Sequence, residues 1–373
     1  MELIYLDNAA TTKPNINLLE ICSKYSAENF YNPSALYRPA RKVKELLTEN
    51  RNKILNYFPN HNLIFTSCGT EADNTAIFGF FKRGNAVTTM GEHSAVFQAF
   101  EALRAKGMNV RYAKLNKDGS VNEESLLELV DEHTTFVSVV HVNNETGAIN
   151  DISRLAKLVK AKAKRAIFHS DGVQAFCKIP YKISSDVDLY SVSAHKIHAL
   201  KGVGGLFYKK GLNLPAYLIG GGQENGLRSG TENLLGIYHF ALCVEELYPK
   251  IEENYQKIKG LKERFINGLD EKIKVISSSQ ASPYVVSITC SNLRGEVLQH
   301  LLEDDGVLVG TGSACSSKHP HSRVLKACGY TSGELDGVLR ISFSVENNAD
   351  EIDFAVETIN KAVNKLYKVV NKK

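Results

Sequence analysis

Between residues 62 and 192 the chain alternates short apolar runs with amphipathic stretches, and few folds accept that pattern. Strands read at Leu63-Ile64-Phe65, Ala86-Val87-Thr88, Val110-Arg111-Tyr112, Phe136-Val137-Ser138-Val139-Val140, Ala166-Ile167-Phe168 and 187–192. Between them helices read at 68–81, 94–106, 123–130 and 152–163. Strands that alternate with helices predict an α/β fold with a mostly parallel sheet covered on both faces. Ligands of such sheets bind beyond the carboxyl ends of the strands. Thr70, His93, Asn144, Asp171 and Lys196 each fall just after a predicted strand. That shared placement predicts that they belong to one site.

The flanks read differently. Residues 1–7 form a first strand, followed by helices ending near 28 and spanning roughly 35–57. A pattern rich in Glu and Lys over about 234–269 predicts one long helix leading to a second, α+β region from about 274. That region holds a strand pair at Val275-Ile276 and 285–288, a helix over 296–303, and the loop around Cys315. A helix over 322–328, a strand over 338–344 and a final helix over 349–369 complete it. The 373 residues carry 45 Lys and Arg against 41 Asp and Glu, and the net charge of +4 points to no nucleic-acid partner. No apolar run is long enough to span a bilayer, and the N-terminus reads as a strand rather than a signal peptide. Seven scattered cysteines without CxxC pairs fit a reducing cytoplasm better than a disulfide framework.

Several positions suit chemistry. Ser193-Ala194-His195-Lys196, with Lys201-Gly202-Val203-Gly204-Gly205 after it, places a lysine just past a strand. A lysine amine becomes a nucleophile when burial or a nearby cation lowers its pKa. Lys196 therefore reads as a lysine that forms a Schiff base with pyridoxal phosphate, with Ser193 and His195 in reach of the phosphate. Asp171 could pair with a protonated pyridine nitrogen and Gln174 with the phenolic oxygen; a capping or turn aspartate is the alternative. Gly69 and Thr70 open a helix whose N-terminus suits an anion, unless Thr70 simply caps it. His93 could stack on a ring or carry a proton, and Asn144 could bind a polar ligand group. Arg340, between apolar neighbours, needs an anionic partner, either a substrate carboxylate or an internal acid. Cys315 sits in Gly312-Ser313-Ala314-Cys315-Ser316-Ser317-Lys318-His319, where small polar neighbours and nearby bases favour a reactive thiol. A zinc site from Cys315, His319 and His321 lacks standard ligand spacing, and no metal is expected.

Taken together these segments resemble the cysteine desulfurases of the NifS/IscS type, within the class-V aminotransferases of PLP fold type I. The matching stretches are 5–12, 32–34, 66–74, 92–93, 142–147, 171–174, 193–196, 220–231, 312–317 and 339–344, in family order over nearly the whole chain. The resemblance implies a large domain over 15–255 with a seven-stranded, mostly parallel sheet. It implies a small domain over 1–14 and 256–373 that carries the cysteine loop. Lys196 would hold pyridoxal 5'-phosphate and move protons at the substrate Cα, and His93 would stack on the ring. Asp171 and Gln174 would pair with its nitrogen and phenolic oxygen, and Gly69, Thr70, Ser193 and His195 would hold its phosphate. Thr231 would reach the phosphate of the other subunit of a homodimer. Asn144, beside the cofactor, and Arg340 would fix the substrate. Cys315 would take sulfur from L-cysteine as a persulfide, release L-alanine, and pass the sulfur to an iron–sulfur scaffold or a tRNA-thiolation enzyme. A lyase for selenocysteine or cysteine sulfinate and a non-catalytic scaffold are the alternatives. The chain departs from the family pattern at Ala199-Leu200, where Gly-Pro is usual, at Cys68, where glycine is common, and in its short tail after the last helix.

Overall fold

Twelve strands form among the described residues: β1 Ile4–Leu6, β2 His61–Thr66, β3 Asn85–Thr89, β4 Asn109–Ala113, β5 Thr134–Ser138, β6 Ile167–Asp171, β7 Leu189–Ser193, β8 Gly204–Lys209, β9 Lys274–Val275, β10 Val285–Thr289, β11 Val307–Thr311 and β12 Val338–Ser342. The structure is a computed structural model that describes residues 3–311 and 321–370.

The expected seven-stranded sheet is present, in the order β2-β8-β7-β6-β5-β3-β4. β3 to β7 run parallel, while β8 is antiparallel to both β2 and β7. Parallel neighbours need long crossovers, and the helices Ser94–Ala105, Glu123–Leu129 and Ile152–Lys162 supply them. Successive strand residues point to opposite faces. Ala86, Phe136, Leu189 and Leu206 therefore pack on one side with Ala76, Ile77 and Phe100. Their neighbours Val87, Val137, Tyr190 and Phe207 pack on the other with Val43, Leu47, Ile237 and Phe240. Burial on both faces explains why these strands read as continuous apolar runs.

The second sheet has the order β1-β11-β12-β10-β9. β1 enters it parallel to β11, with Ile4 opposite Val307 and Leu6 opposite Val309. Its core joins Leu6, Phe265, Val286, Ile341 and Ile359, drawn from strands and from the helices Ile251–Asn267 and Ala349–Val370.

Three expectations need correction. The stretch 234–269 is not one helix but two, Leu234–Leu247 and Ile251–Asn267, joined by the tight turn Tyr248–Lys250. Pro249 in that turn has no N–H and its ring crowds the carbonyl one turn back, so the α-helix cannot run through unbroken. The helix expected from 35 starts at Arg38, with Pro39 in its first turn, a position where the missing N–H is harmless. Strand β11 and the short helix Ser332–Asp336 were not expected, although Thr331 and Glu334 form a capping box that marks the helix start.

One buried ion pair fastens the first sheet to the stretch over 220–231. Arg51 donates to both carboxylate oxygens of Glu224 at 2.7 Å, and Glu224 also accepts the Phe65 N–H at 3.0 Å. The Arg51 guanidinium lies 4.7 Å from the centre of the Phe65 ring. Removing the acid strands a guanidinium whose remaining partner is the Leu63 carbonyl. Glu224→Ala is expected to destabilise the fold by about 3 kcal/mol, read as a lower urea midpoint; an unchanged midpoint would show that the pair contributes nothing to stability.

Candidate active site

β6 ends on Asp171 and β7 on Ser193, at the carboxyl edge of the parallel sheet. The chain turns at once after Asp171. A Cβ on Gly172 would lie 1.9 Å from Cζ of Tyr190, so only glycine lets the backbone pass over that ring. The turn brings the Val173 N–H to Asp171 Oδ1 at 2.9 Å. Burial pushes the Asp171 carboxyl up to about 6, against the pull of that N–H and of Lys196.

Ser193 leads into the tight turn Ala194–Lys196. Lys196 Nζ donates to the carbonyls of Ala9 and Ala10 at 2.6 and 2.7 Å. His195 Nδ1 lies 3.1 Å from Thr11 Oγ1. Burial pushes its pKa down to about 4, helped by the charges of Lys196, Lys178 and Lys201, so its ring is neutral.

The helix Gly69–Phe80 begins without a side-chain cap. Thr70 does not cap it, which sets aside the simpler reading of that residue. The Ser193 hydroxyl is buried without a partner. A Cβ on Gly69 would stand 3.4 Å from Ser193 Cβ and 2.9 Å from Val173 Cγ2, filling the space between them. An uncapped helix N-terminus, an orphaned hydroxyl and a glycine-wide gap form a cradle suited to a phosphate.

His93 caps the helix Ser94–Ala105 by accepting the Ala95 N–H on Nδ1 at 3.2 Å. Burial, with the charges of Lys196, Arg323 and Arg340, brings its pKa down to about 4. The ring is therefore neutral and carries its proton on Nε2. Arg340, on β12, has the internal acid that was one of its two expected partners. Its Nη2 pairs with Asp7 Oδ1 at 2.7 Å and its Nη1 donates to the Asn144 carbonyl at 3.2 Å. Its Nε stays buried without a partner, a donor left for a ligand anion. Gln174 donates to the Ala9 carbonyl and accepts from Lys178 Nζ, both at 2.9 Å.

These groups surround one cavity of about 290 Å³. Every expected site residue among the described ones lines it, except Thr231, which is exposed on the loop ahead of the helix Leu234–Leu247. Cys315 lies outside the described residues. The segment that contains it leaves β11 at Thr311, next to Arg340, because Gly310 pairs with Arg340 across the sheet. It returns at Ser322 and Arg323. Ser322 donates to the Glu145 carboxylate, and the Arg323 guanidinium donates to the carbonyls of Met90 and Glu92. The flank at Ser322 and Arg323 is thus tied to the turns that carry Asn144 and His93.

Sequence reasoning missed Asp73. It lines the cavity, is buried, and has an unpartnered Oδ1 that lies 3.6 Å from His169 Nε2. Burial, then the nearby Asp171, hold its carboxyl well above the usual range, so it is neutral. Its signal was its place three residues after Thr70, on the same helix face. Cys68, the departure noted in the phosphate turn, also lines the cavity.

The site fits pyridoxal phosphate: an amine for its aldehyde, a buried carboxyl for its ring nitrogen, and a cradle for its phosphate. The class-V aminotransferase family profile matches residues 4–354. A cysteine desulfurase IscS of Clostridium botulinum is 34% identical over 376 residues, covering 96% of this chain and 94% of that protein. A solved NifS-like protein superposes with a TM-score of 0.90 at 32% identity, covering 97% of this chain and all of the other. A structure described as SspA in complex with cysteine reaches 0.79 at 27% identity, over 91% of this chain and 98% of that one. The fold is that of the PLP-dependent enzymes of fold type I. On its profile match, its identity to cysteine desulfurases and its fold, the chain belongs to the class-V aminotransferase family.

Proposed function

We propose that this chain is a pyridoxal phosphate-dependent cysteine desulfurase, which converts L-cysteine to L-alanine and carries the sulfur away as a persulfide on Cys315. The observation that carries the reading is the convergence of Lys196, Asp171 and His93 on a cavity that Arg340 also lines, beside the Gly310–Thr311 end of β11 from which the chain runs on to Cys315. When bound, pyridoxal phosphate supplies an electron sink for charge that develops at the substrate Cα.

Each residue then has a task. Asp171, as carboxylate, holds the ring nitrogen protonated, and Gln174 donates toward the phenolic oxygen. The neutral ring of His93 would cover one face of the cofactor. Gly69, Thr70, Ser193 and His195 hold the phosphate through N–H and O–H donors, and Asn144 lies beside the cofactor and substrate. Arg340 binds the substrate carboxylate through N–H donors not taken by Asp7 and the Asn144 carbonyl. Lys196 takes the proton from the substrate Cα and moves it on. The Cys315 thiolate attacks the substrate sulfur: an S–S bond forms, the C–S bond breaks, and its electron pair returns to carbon. Protonation of that carbon and return of a proton to Cα complete L-alanine.

The assembly is read as a homodimer in which Thr231 reaches the partner's phosphate. The exposed side chains of Phe30, Leu36, Tyr37 and Ile219 support self-association. The sulfur acceptor is read as a protein, an iron–sulfur scaffold or a tRNA-thiolation enzyme, in the cytoplasm and without direct contact with nucleic acid. Among the described residues no helix is long and apolar enough to cross a membrane.

Incubation with L-cysteine is expected to release alanine and to add one sulfur atom to the peptide holding Cys315, read by intact and peptide mass. Cys315→Ala should abolish sulfur release while keeping the cofactor's absorbance. Full turnover by that variant on selenocysteine or cysteine sulfinate, with none on L-cysteine by the parent protein, would point to the alternative lyases. Asp171 gives a pH dependence. Its carboxyl must be ionised to bind the ring nitrogen, and burial has raised its pKa to about 6. Cofactor affinity should therefore hold above pH 6 and fall as pH drops through it. Asp171→Asn should weaken binding about tenfold or more and flatten that dependence, measured by absorbance titration with pyridoxal phosphate.

A further inference from the structure

Lys178 is a buried lysine that the reaction above does not use. It follows Gln174 by four residues in the tight turns after β6, and only 6% of it is exposed. Among the described residues no carboxylate pairs with it. Its Nζ donates to Gln174 Oε1 at 2.9 Å, and the ring of Tyr284 lies 6.0 Å away. It shares a small crevice with Lys196, Cys177 and His198, behind the main cavity. The charges of Lys196 and Arg340 bear on it, and its own charge bears on His195 and His198.

A side-chain amide can turn over, exchanging its oxygen and its NH₂. The neighbours decide which way it stands. An ammonium has three N–H donors and no acceptor, so the amide atom facing Lys178 must be oxygen. The NH₂ is then directed the other way, where the Ala9 carbonyl takes one N–H at 2.9 Å and the second is left for the cavity that Gln174 lines. The same Ala9 carbonyl accepts from Lys196 Nζ. Lys178, Gln174, Ala9 and Lys196 thus form one hydrogen-bonded chain.

We propose that Lys178 is a positioning residue: by donating to Gln174 Oε1 it locks the amide so that its NH₂, not its oxygen, faces the cofactor's phenolic oxygen. This rests on the roles given above to Gln174 and Lys196. Burial, then the charge of Lys196, brings the Lys178 ammonium down to about 7. An anionic cofactor in the adjoining cavity works against that shift and favours the charged, donor-only form.

The readout is the pH at which the visible absorbance of the cofactor-loaded protein titrates. An N–H donated to the phenolic oxygen stabilises its anion and weakens its hold on the proton of the neighbouring imine. Losing that donor raises the titration point. Lys178→Met keeps the long stem without a donor and is expected to raise it by about one unit. Gln174→Leu should raise it as much. The double variant should shift no further than either single one, because both changes remove one interaction. Lys178→Gln, whose amide both donates and accepts, serves in place of the methionine variant if that does not fold. An unchanged titration point in the Lys178 variants, or additive shifts in the double variant, would overturn the proposal. A parent protein that develops no visible band with pyridoxal phosphate would instead overturn the reading of Lys196, and this inference with it.

Discussion

β1 is three residues long and has one pairing strand, β11, which comes far later in the chain. Residues 7–12 reach the site from that pairing, with Asp7 bridging on to Ser342 of β12. Asp7 meets Arg340, the carbonyls of Ala9 and Ala10 meet Lys196, and Thr11 meets His195. The Thr12 hydroxyl donates to the His195 carbonyl. The Ala9 N–H is held by the Ser342 hydroxyl at 2.9 Å, and Leu6 is fully buried in the small core. A slip of one residue would turn Leu6 outward and Tyr5 inward, and would move Asp7 off Arg340. Burial of Leu6 is what sets the register, and the register places the floor of the cavity.

The cavity is also an electrostatic arrangement that the bare chain only half completes. Lys196, Arg340, Asp171 and Asp73 line it, and Lys178 stands in the adjoining crevice that also holds Lys196. Burial is the first cause of each resolved shift here. It neutralises the imidazoles of His93 and His195, holds Asp73 neutral, and leaves Asp171 near 6. Unpartnered atoms remain at Ser193 Oγ and Arg340 Nε. Orphaned donors in a buried, cation-rich pocket are costly unless an anion satisfies them. A phosphate and a carboxylate are such anions.

The parts of this that could be read in advance share a property. Phe136 to Val140 announced a strand because a strand buried on both faces leaves a continuous apolar run. Asp171, Lys196 and His93 stood out because each polar group follows such a run. Lys178 and Asp73 did not stand out. A lysine four residues past Gln174 reads as a surface charge, and an aspartate inside a helix reads as solvated; only packing against other elements buries them. Pro249 was visible, yet the periodicity around it was strong enough to suggest one helix. Arg340 was recognised as needing an anion, but whether that anion was internal depended on Asp7, over three hundred residues earlier. Thr231 lies outside the cavity, exposed on the loop ahead of the helix Leu234–Leu247.

By itself, the sequence determined the alternation of strands and helices, and with it a covered parallel sheet with its site at the carboxyl edge. Local periodicity and turn chemistry carry that much, because each strand and helix is specified by its own residues. The tertiary structure alone decided which atoms of those residues are paired. It gave two of Arg340's nitrogens protein partners and left Nε without one, turned the Gln174 amide toward Lys178, and lowered the histidine pKa values. Those outcomes arise from contacts between segments far apart in the chain and from the loss of water around them, and neither is written in any one stretch.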